Sequence, residues 1–86
     1  MKITAVFKEF SDHGGETLEW ISEFEKRAAV KVERVNPETR DGEGYIEAHG
    51  ILAYPTIVAS GDDGKVYSVW AGKPLPTFDE VMSFMV

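Results

Sequence analysis

The sequence contains no cysteine and has few basic residues. The lack of cysteine excludes disulfide bonds, thiolate metal sites, iron–sulfur clusters and any thiol chemistry by the chain itself. Nine Lys and Arg stand against fifteen Asp and Glu, a net charge of −6, and residues 37–86 carry eight acidic and only three basic side chains. Nucleic-acid surfaces need the opposite sign, and anionic lipid repels this one. We therefore expect no nucleic-acid partner and no membrane partner.

Long hydrophobic runs are also missing. No apolar segment approaches the roughly 20 residues of a membrane span, and Met1-Lys2-Ile3-Thr4 begins a strand-like pattern rather than a signal peptide. A chain of 86 residues allows one domain with one modest core. The sequence predicts a single cytoplasmic domain over residues 1–86.

Hydrophobic periodicity predicts four strands and three helices. Residues 1–7 alternate, and because Val6 adds an apolar residue to the otherwise polar face, both faces should be covered, as in a central strand. The other predicted elements are a helix over 16–29, an edge strand over 30–35, a helix over 43–49 closed by Gly50, strands over 56–59 and 65–71, and a last helix that begins at Thr77.

Turn and capping residues mark the boundaries of these elements. Asn36-Pro37-Glu38 has the pattern of a helix start with Asn36 as N-cap, although Gly42 and Gly44 weaken the turn that follows. Asp63-Gly64 predicts a hairpin, and Thr77 with Glu80 forms a capping box. The order βαβαββα, with a helical crossover first and a hairpin later, predicts an α/β fold with a mixed four-stranded sheet and helices on both faces.

That order of elements resembles the thioredoxin family over essentially the whole chain, in the version without the extra N-terminal strand and helix. The residues that carry the resemblance are Gly50-Ile51, Tyr54-Pro55-Thr56, the Asp63-Gly64 hairpin and Trp70-Ala71-Gly72. The resemblance implies a thioredoxin-like fold in which Pro55 is cis. It also implies that the Pro55 loop lies beside the family's active site, and that the backbone of Tyr54 corresponds to the one that hydrogen-bonds extended substrates in the family.

The departure from the family lies between the first strand and the first helix. Redox thioredoxins carry Cys-x-x-Cys there, whereas this chain has Ser11-Asp12-His13-Gly14, or residues 12–15 if the register is one later. Thiol–disulfide exchange needs a thiolate, so we expect no oxidoreductase activity and no catalytic residue. His13 and His49 have no partner at ligand spacing, and we expect no metal site and no cofactor.

A groove between the two loops is the predicted site. Ser11 or Asp12 is expected to cap the first helix, and the Tyr54 backbone is expected to lack an internal partner, so that it can pair with an extended peptide. The predicted function is a redox-inactive module that binds a protein or peptide non-covalently. The candidate binding residues are Ser11, Asp12, His13, Gly14, Tyr54, Pro55 and Thr56.

Three alternatives remain. The first alternative is a structural domain, a monomer or weak homodimer that associates through a sheet edge or through exposed aromatics such as Trp20 and Trp70; these residues also suit the rim of a small core. The second alternative is a glutathione-binding protein that resembles glutathione transferases, with Ser11 stabilising the thiolate. Against it, the all-helical second domain is missing, and the acidic second half repels this anionic tripeptide. Ser11-Asp12-His13 also suggests a hydrolytic triad, but consecutive residues on one loop point in different directions.

Overall fold

The computed structural model describes residues 1–85, and the order of its elements confirms the predicted order. The elements are β1 (Lys2–Val6), α1 (Gly14–Ala28), β2 (Val32–Val35), α2 (Arg40–His49), β3 (Thr56–Ser60), β4 (Val66–Ala71) and α3 (Phe78–Met82). Within residues 1–85, no helix has both the length and the apolar character that crossing a bilayer requires.

The four strands form one mixed sheet in the order β2-β1-β3-β4. β1 is parallel to β2 and antiparallel to β3, and β4 is antiparallel to β3. This confirms the mixed sheet, the central position of β1 and the edge position of β2. Val6 pairs with Val35 on one side and with Thr56 on the other. The loop that follows β1 and the segment that precedes β3 therefore lie at the same end of the sheet.

Two hydrophobic clusters lie on opposite faces of the sheet, because side chains alternate along each strand. The larger cluster joins Ile3, Ala5 and Phe7 to residues of α1 and α3. The smaller one joins Val6, Ile51 and Val58 to α2. Helices therefore cover both faces, as predicted.

The starts of α1 and α2 differ from their predictions. Neither Ser11 nor Asp12 caps α1: the N-cap is His13, without a side-chain bond, and α1 begins two residues earlier than predicted. Asn36 does not cap α2 either, because its Oδ1 accepts from Glu38 N–H within a preceding turn. The cap is Thr39, whose Oγ1 accepts from Gly42 N–H at 3.0 Å, so α2 begins at Arg40.

Other boundaries agree more closely with the sequence. Gly50 ends α2 in the left-handed conformation, and the Thr77–Glu80 capping box is present at α3. β2 begins at Val32, two residues later than predicted. The delay follows from Ala29, which ends α1 in the left-handed region at φ 55°, so that Val30 and Lys31 serve only as a connection.

Candidate functional site

The seven candidate residues lie on two segments at one end of the sheet, which we call the two-loop surface (residues 8–14 and 52–56). The Val6–Thr56 pairing brings the two segments to this end. A direct contact between them joins the Lys8 ammonium to the Tyr54 ring, with Nζ 5.6 Å from the ring centroid. The structure therefore places both predicted halves of the groove at the same end of the sheet.

The β1–α1 loop is closed by its own hydrogen bonds. Lys8 N–H donates to His13 Nε2 at 3.1 Å, and Ser11 Oγ donates to the Lys8 carbonyl at 2.5 Å. Gly14 N–H donates to the Ser11 carbonyl at 3.2 Å. An imidazole nitrogen accepts only through its lone pair, so this bond occupies Nε2 of His13 within the loop.

These bonds exclude a Ser-His-Asp relay in this loop. The Asp12 carboxylate is fully exposed and lies 3.8 Å from His13 Nδ1, which is beyond hydrogen-bond distance. His13 Nε2 already accepts from Lys8, and the Ser11 hydroxyl donates its proton to the same residue rather than towards an incoming group. The loop therefore has no activated nucleophile, and its polar side chains hold the backbone in place.

Gly14 has a steric role at the start of α1. A Cβ atom added there would lie 1.9 Å from the Glu9 carbonyl oxygen, whereas one added at Gly15 would meet no atom within 4 Å. The helix can thus begin close to the loop backbone only because position 14 has no side chain. The same contact shows that position 14 of this loop does not accommodate a cysteine.

In the stretch from Tyr54 to Thr56, the groups available to a ligand are mainly backbone groups. The Tyr54–Pro55 peptide bond is cis. Pro55 and Thr56 are buried; the Pro55 carbonyl accepts from Gly72 N–H, and Thr56 Oγ1 donates to the Ala53 carbonyl at 2.6 Å. Tyr54 is half-buried, and within residues 1–85 neither its N–H nor its C=O makes a hydrogen bond. Tyr54 is thus the member of this trio with main-chain groups free for a ligand.

Sequence reasoning missed two large apolar side chains on the same segments. Phe10 in the β1–α1 loop is 99% exposed, and Leu52, two residues before Tyr54, is 96% exposed. The sequence signal that could have found them is an apolar residue in a segment assigned to no helix or strand: Phe10 lies in a polar loop, and Leu52 lies between the predicted second helix and third strand. Ile51 is buried and Leu52 is not, a difference that depends on tertiary packing.

The two tryptophans belong to the core rather than to this surface. Trp20 stacks on Phe24 with ring centroids 5.0 Å apart, and its Nε1 donates to the Pro76 carbonyl at 2.9 Å. Trp70 is half-buried and meets Phe84 edge-on at 5.7 Å. His49 is likewise engaged, with Nδ1 bonded to the Tyr45 carbonyl. No cluster of three potential metal ligands occurs in the described part of the chain.

Comparison with known proteins identifies the fold. No family model and no curated protein matches the sequence. Among solved structures, thioredoxin 1 from the thermophilic eubacterium Thermosipho africanus TCF52B superposes with a TM-score of 0.71, covering 99% of this chain and 90% of that one at 16% identity. This chain has a thioredoxin-like fold. Its sequence lacks the cysteines that thiol–disulfide exchange requires, so redox activity is not expected from this thioredoxin-like domain.

Proposed function

We propose that this chain is a redox-inactive thioredoxin-like domain that binds an extended protein or peptide segment without a covalent step. The observation that carries the proposal is the pair of almost fully exposed apolar side chains, Phe10 and Leu52, on the two segments that also present the unbonded backbone of Tyr54. Exposed apolar side chains grouped in one region, rather than scattered singly, mark interaction sites, and the Val6–Thr56 pairing brings these two segments to the same end of the sheet.

The backbone of Tyr54 supplies the directional part of the binding. Peptide N–H and C=O groups need partners, and an extended peptide offers them at the spacing of a strand. The Pro55 carbonyl already binds Gly72, which leaves Tyr54 as the first free position beyond the β3–β4 ladder. A peptide that pairs with Tyr54 would extend from the end of the sheet along the two-loop surface.

Phe10 and Leu52 supply the apolar part of the binding. Complete burial of one such side chain contributes about 1.5–3 kcal/mol. The Ser11 and His13 side chains are occupied within the loop and offer no reactive group. The proposed ligand is therefore an extended segment with apolar side chains, which the domain would recognise by shape and backbone polarity.

An NMR titration with a synthetic peptide of alternating valine and threonine tests this function. We expect amide shifts at residues 8–14 and 52–56, and about a tenfold loss of affinity in Phe10→Ser and in Leu52→Ser, equivalent to roughly 1.4 kcal/mol each. The matched control is Val66→Ser, which changes an exposed apolar residue on β4 and should bind as the parent chain does.

The same titration distinguishes the rival functions. Shifts confined to β4, or unchanged affinity in both Phe10→Ser and Leu52→Ser, would contradict peptide binding at the two-loop surface. A separate titration with reduced glutathione should leave the Ser11 amide unmoved. A clear shift there, with a lowered thiol pKa of the bound glutathione, would favour the transferase-like alternative.

A further inference from the structure

The two edges of the sheet differ in how well they are protected from pairing with another strand. β2 has four residues, and exposed Glu33 and Arg34 lie within it. β4 has six residues, Val66–Ala71, with no charged residue and no proline among them. Natural sheets use short edges, charges, prolines and bulges to prevent edge-to-edge association. β2 has such protection, whereas β4 has only an irregularity near Ser60 at its first residues.

Within residues 1–85, the backbone of β4 has hydrogen-bonding groups at this edge that no other part of the chain uses. Ala71 lies opposite Thr56, and the bond from Gly72 N–H to the Pro55 carbonyl, 2.8 Å long, lies just beyond that pair. In an antiparallel ladder such a bond flanks a pair that is not itself hydrogen-bonded. The N–H and C=O groups of Ala71, and by alternation those of Val69, therefore point away from β3 towards the open edge.

An apolar row borders the same edge. Tyr67 and Val69 are 47% and 44% exposed, and Ala71 is exposed beside them. Val69 and Ala71 lie on the face of the sheet that α2 covers, but α2 packs beside β2 at the other edge. Tyr67 and Val69 on this half of the face therefore remain about half exposed. An uncharged strand with free backbone groups and an apolar flank suits an extended, uncharged strand as its partner.

We propose that the partner is a second copy of this chain, with the two β4 strands paired antiparallel about a two-fold axis near Val69. In that register Val69 faces its counterpart, and Tyr67 of each copy faces Ala71 of the other, so that a large side chain meets a small one twice. Cyclic two-fold pairing is the commonest form of self-association because one patch satisfies both copies. The two sheets would join into one continuous sheet.

Charged side chains oppose this register only at the two ends of the paired strands. Lys65 of one copy would approach Lys73 of the other at each end of the paired strands. The Lys73 ammonium already lies 3.0 Å from the Glu16 carboxylate, which offsets the positive charge there. The remaining opposition comes from the net charge of −6 on each copy. Because salt screens such repulsion, the dimer should strengthen as ionic strength rises.

Sedimentation velocity over a concentration series at low and high salt tests the proposal. We expect a monomer–dimer equilibrium that shifts towards dimer in high salt, and at least a tenfold weaker dimer in Val69→Lys, because the new charge lies at the centre of the interface. The matched control is Phe10→Lys, which makes the same change of charge on the exposed β1–α1 loop and should leave dimerisation unchanged.

The two variants also separate this inference from the proposed peptide-binding function. Val69→Lys should lose the dimer but keep the peptide-induced amide shifts at residues 8–14 and 52–56, whereas Phe10→Lys should lose those shifts and keep the dimer. A chain that stays monomeric at millimolar concentration in high salt would overturn the dimer, as would a Val69→Lys dimer as stable as the parent. Circular dichroism of each variant confirms that a change in association does not reflect unfolding.

A single introduced cysteine locates the interface, because the chain has no other thiol. Residues directly opposite in a hydrogen-bonded antiparallel pair have Cα atoms about 5.5 Å apart, within the range that a disulfide spans. Val69→Cys should therefore form a covalent dimer under mild oxidation faster than Glu33→Cys on the β2 edge. Equal rates for the two variants would place the contact elsewhere and refute β4 pairing.

Discussion

At the scale of single residues, two fully buried threonines differ in how their hydroxyls are satisfied. Thr17 Oγ1 donates to the His13 carbonyl at 2.8 Å. Thr4 Oγ1 has no hydrogen-bond partner within residues 1–85. A buried polar group without a partner loses its bonds to water and gains none in return. The same substitution to valine, which keeps the branched shape, should therefore have opposite effects at the two positions.

Thr4→Val should raise the free energy of unfolding by about 1 kcal/mol, and Thr17→Val should lower it by a similar amount. Chemical denaturation monitored by tryptophan fluorescence measures both changes. Thr4 and Tyr45 line the same cavity of about 240 Å³; burial raises the pKa of the Tyr45 phenol and the nearby Thr4 hydroxyl partly offsets that rise, although the two hydroxyls do not meet the geometry of a hydrogen bond. A loss of stability in Thr4→Val would thus mean that the Tyr45 hydroxyl bonds to Thr4 in solution.

The residues of the two-loop surface show where residue-level reasoning from sequence ends. The composition around Ser11 and His13 correctly predicts a loop, because small and polar residues cluster there. Which acceptor Ser11 reaches depends on how the chain folds back on Lys8, and the sequence pattern fits a helix cap equally well. The exposure of Phe10 depends on the absence of neighbours that only the folded chain defines.

At the scale of elements, the two glycines of α2 have different reasons to be there. A Cβ atom added at Gly42 would lie 1.8 Å from the Asn36 carbonyl oxygen, whereas one added at Gly44 would meet no atom within 4 Å. Gly42 therefore allows the turn at Asn36 to pack against the first turn of α2. Gly44 serves no such contact and only weakens the helix.

Gly44→Ala should stabilise the protein by about 1 kcal/mol, because alanine restricts the unfolded chain and favours helix. Gly42→Ala should destabilise it by about 2 kcal/mol, because the turn must move to admit the methyl group. Thermal unfolding followed by circular dichroism compares the pair directly, each variant serving as the control for the other. If both substitutions were stabilising, the close approach of Asn36 to α2 would be wrong.

The same turn explains why the N-cap of α2 was mispredicted. Asn36-Pro37-Glu38 has the residues of an N-cap and first helical turn, and local sequence rules place the cap at Asn36, although the helix itself was predicted only over 43–49 and begins earlier, at Arg40. Instead, Asn36 Oδ1 accepts a hydrogen bond from Glu38 N–H within the turn, and Thr39 Oγ1 caps the helix by accepting from Gly42 N–H. Gly50 and the Thr77–Glu80 box were predicted correctly because their bonds lie within a few residues of one another.

At the scale of the whole molecule, strand order and strand faces were the most predictable features. Val6 on the second face of β1 indicates a sheet covered on both sides, and the crossover and hairpin lengths restrict strand direction. The surface was much less predictable. The surface features that matter are the open edge of β4, the exposed Leu52 side chain and the unbonded Tyr54 backbone. Each depends on whether a distant part of the chain packs over it, and local hydrophobic periodicity does not encode that packing.

Net charge is a further property of the whole molecule, and it competes with individual ion pairs. The chain carries −6 at neutral pH, and this excess of negative charge opposes the compact state. Its clearest ion pairs, Lys2–Glu33 at 2.9 Å and Lys73–Glu16 at 3.0 Å, have side chains about half exposed. Such surface pairs contribute little, with a median of about 0–1 kcal/mol. Self-repulsion should therefore dominate the response to salt.

We expect the melting temperature to rise by a few degrees between low and high sodium chloride, since screening about 1 kcal/mol of repulsion moves a small domain by roughly 4–8 °C. Scanning calorimetry or circular dichroism measures the shift, at micromolar protein so that association of β4 edges does not contribute. Choline chloride at the same ionic strength is the control, because equal effects of both salts identify screening rather than binding of one ion. A fall in melting temperature would mean that the Lys2–Glu33 and Lys73–Glu16 pairs outweigh the net charge. The salt dependence expected of the β4 dimer would then need another cause, because it relies on the same repulsion between acidic copies.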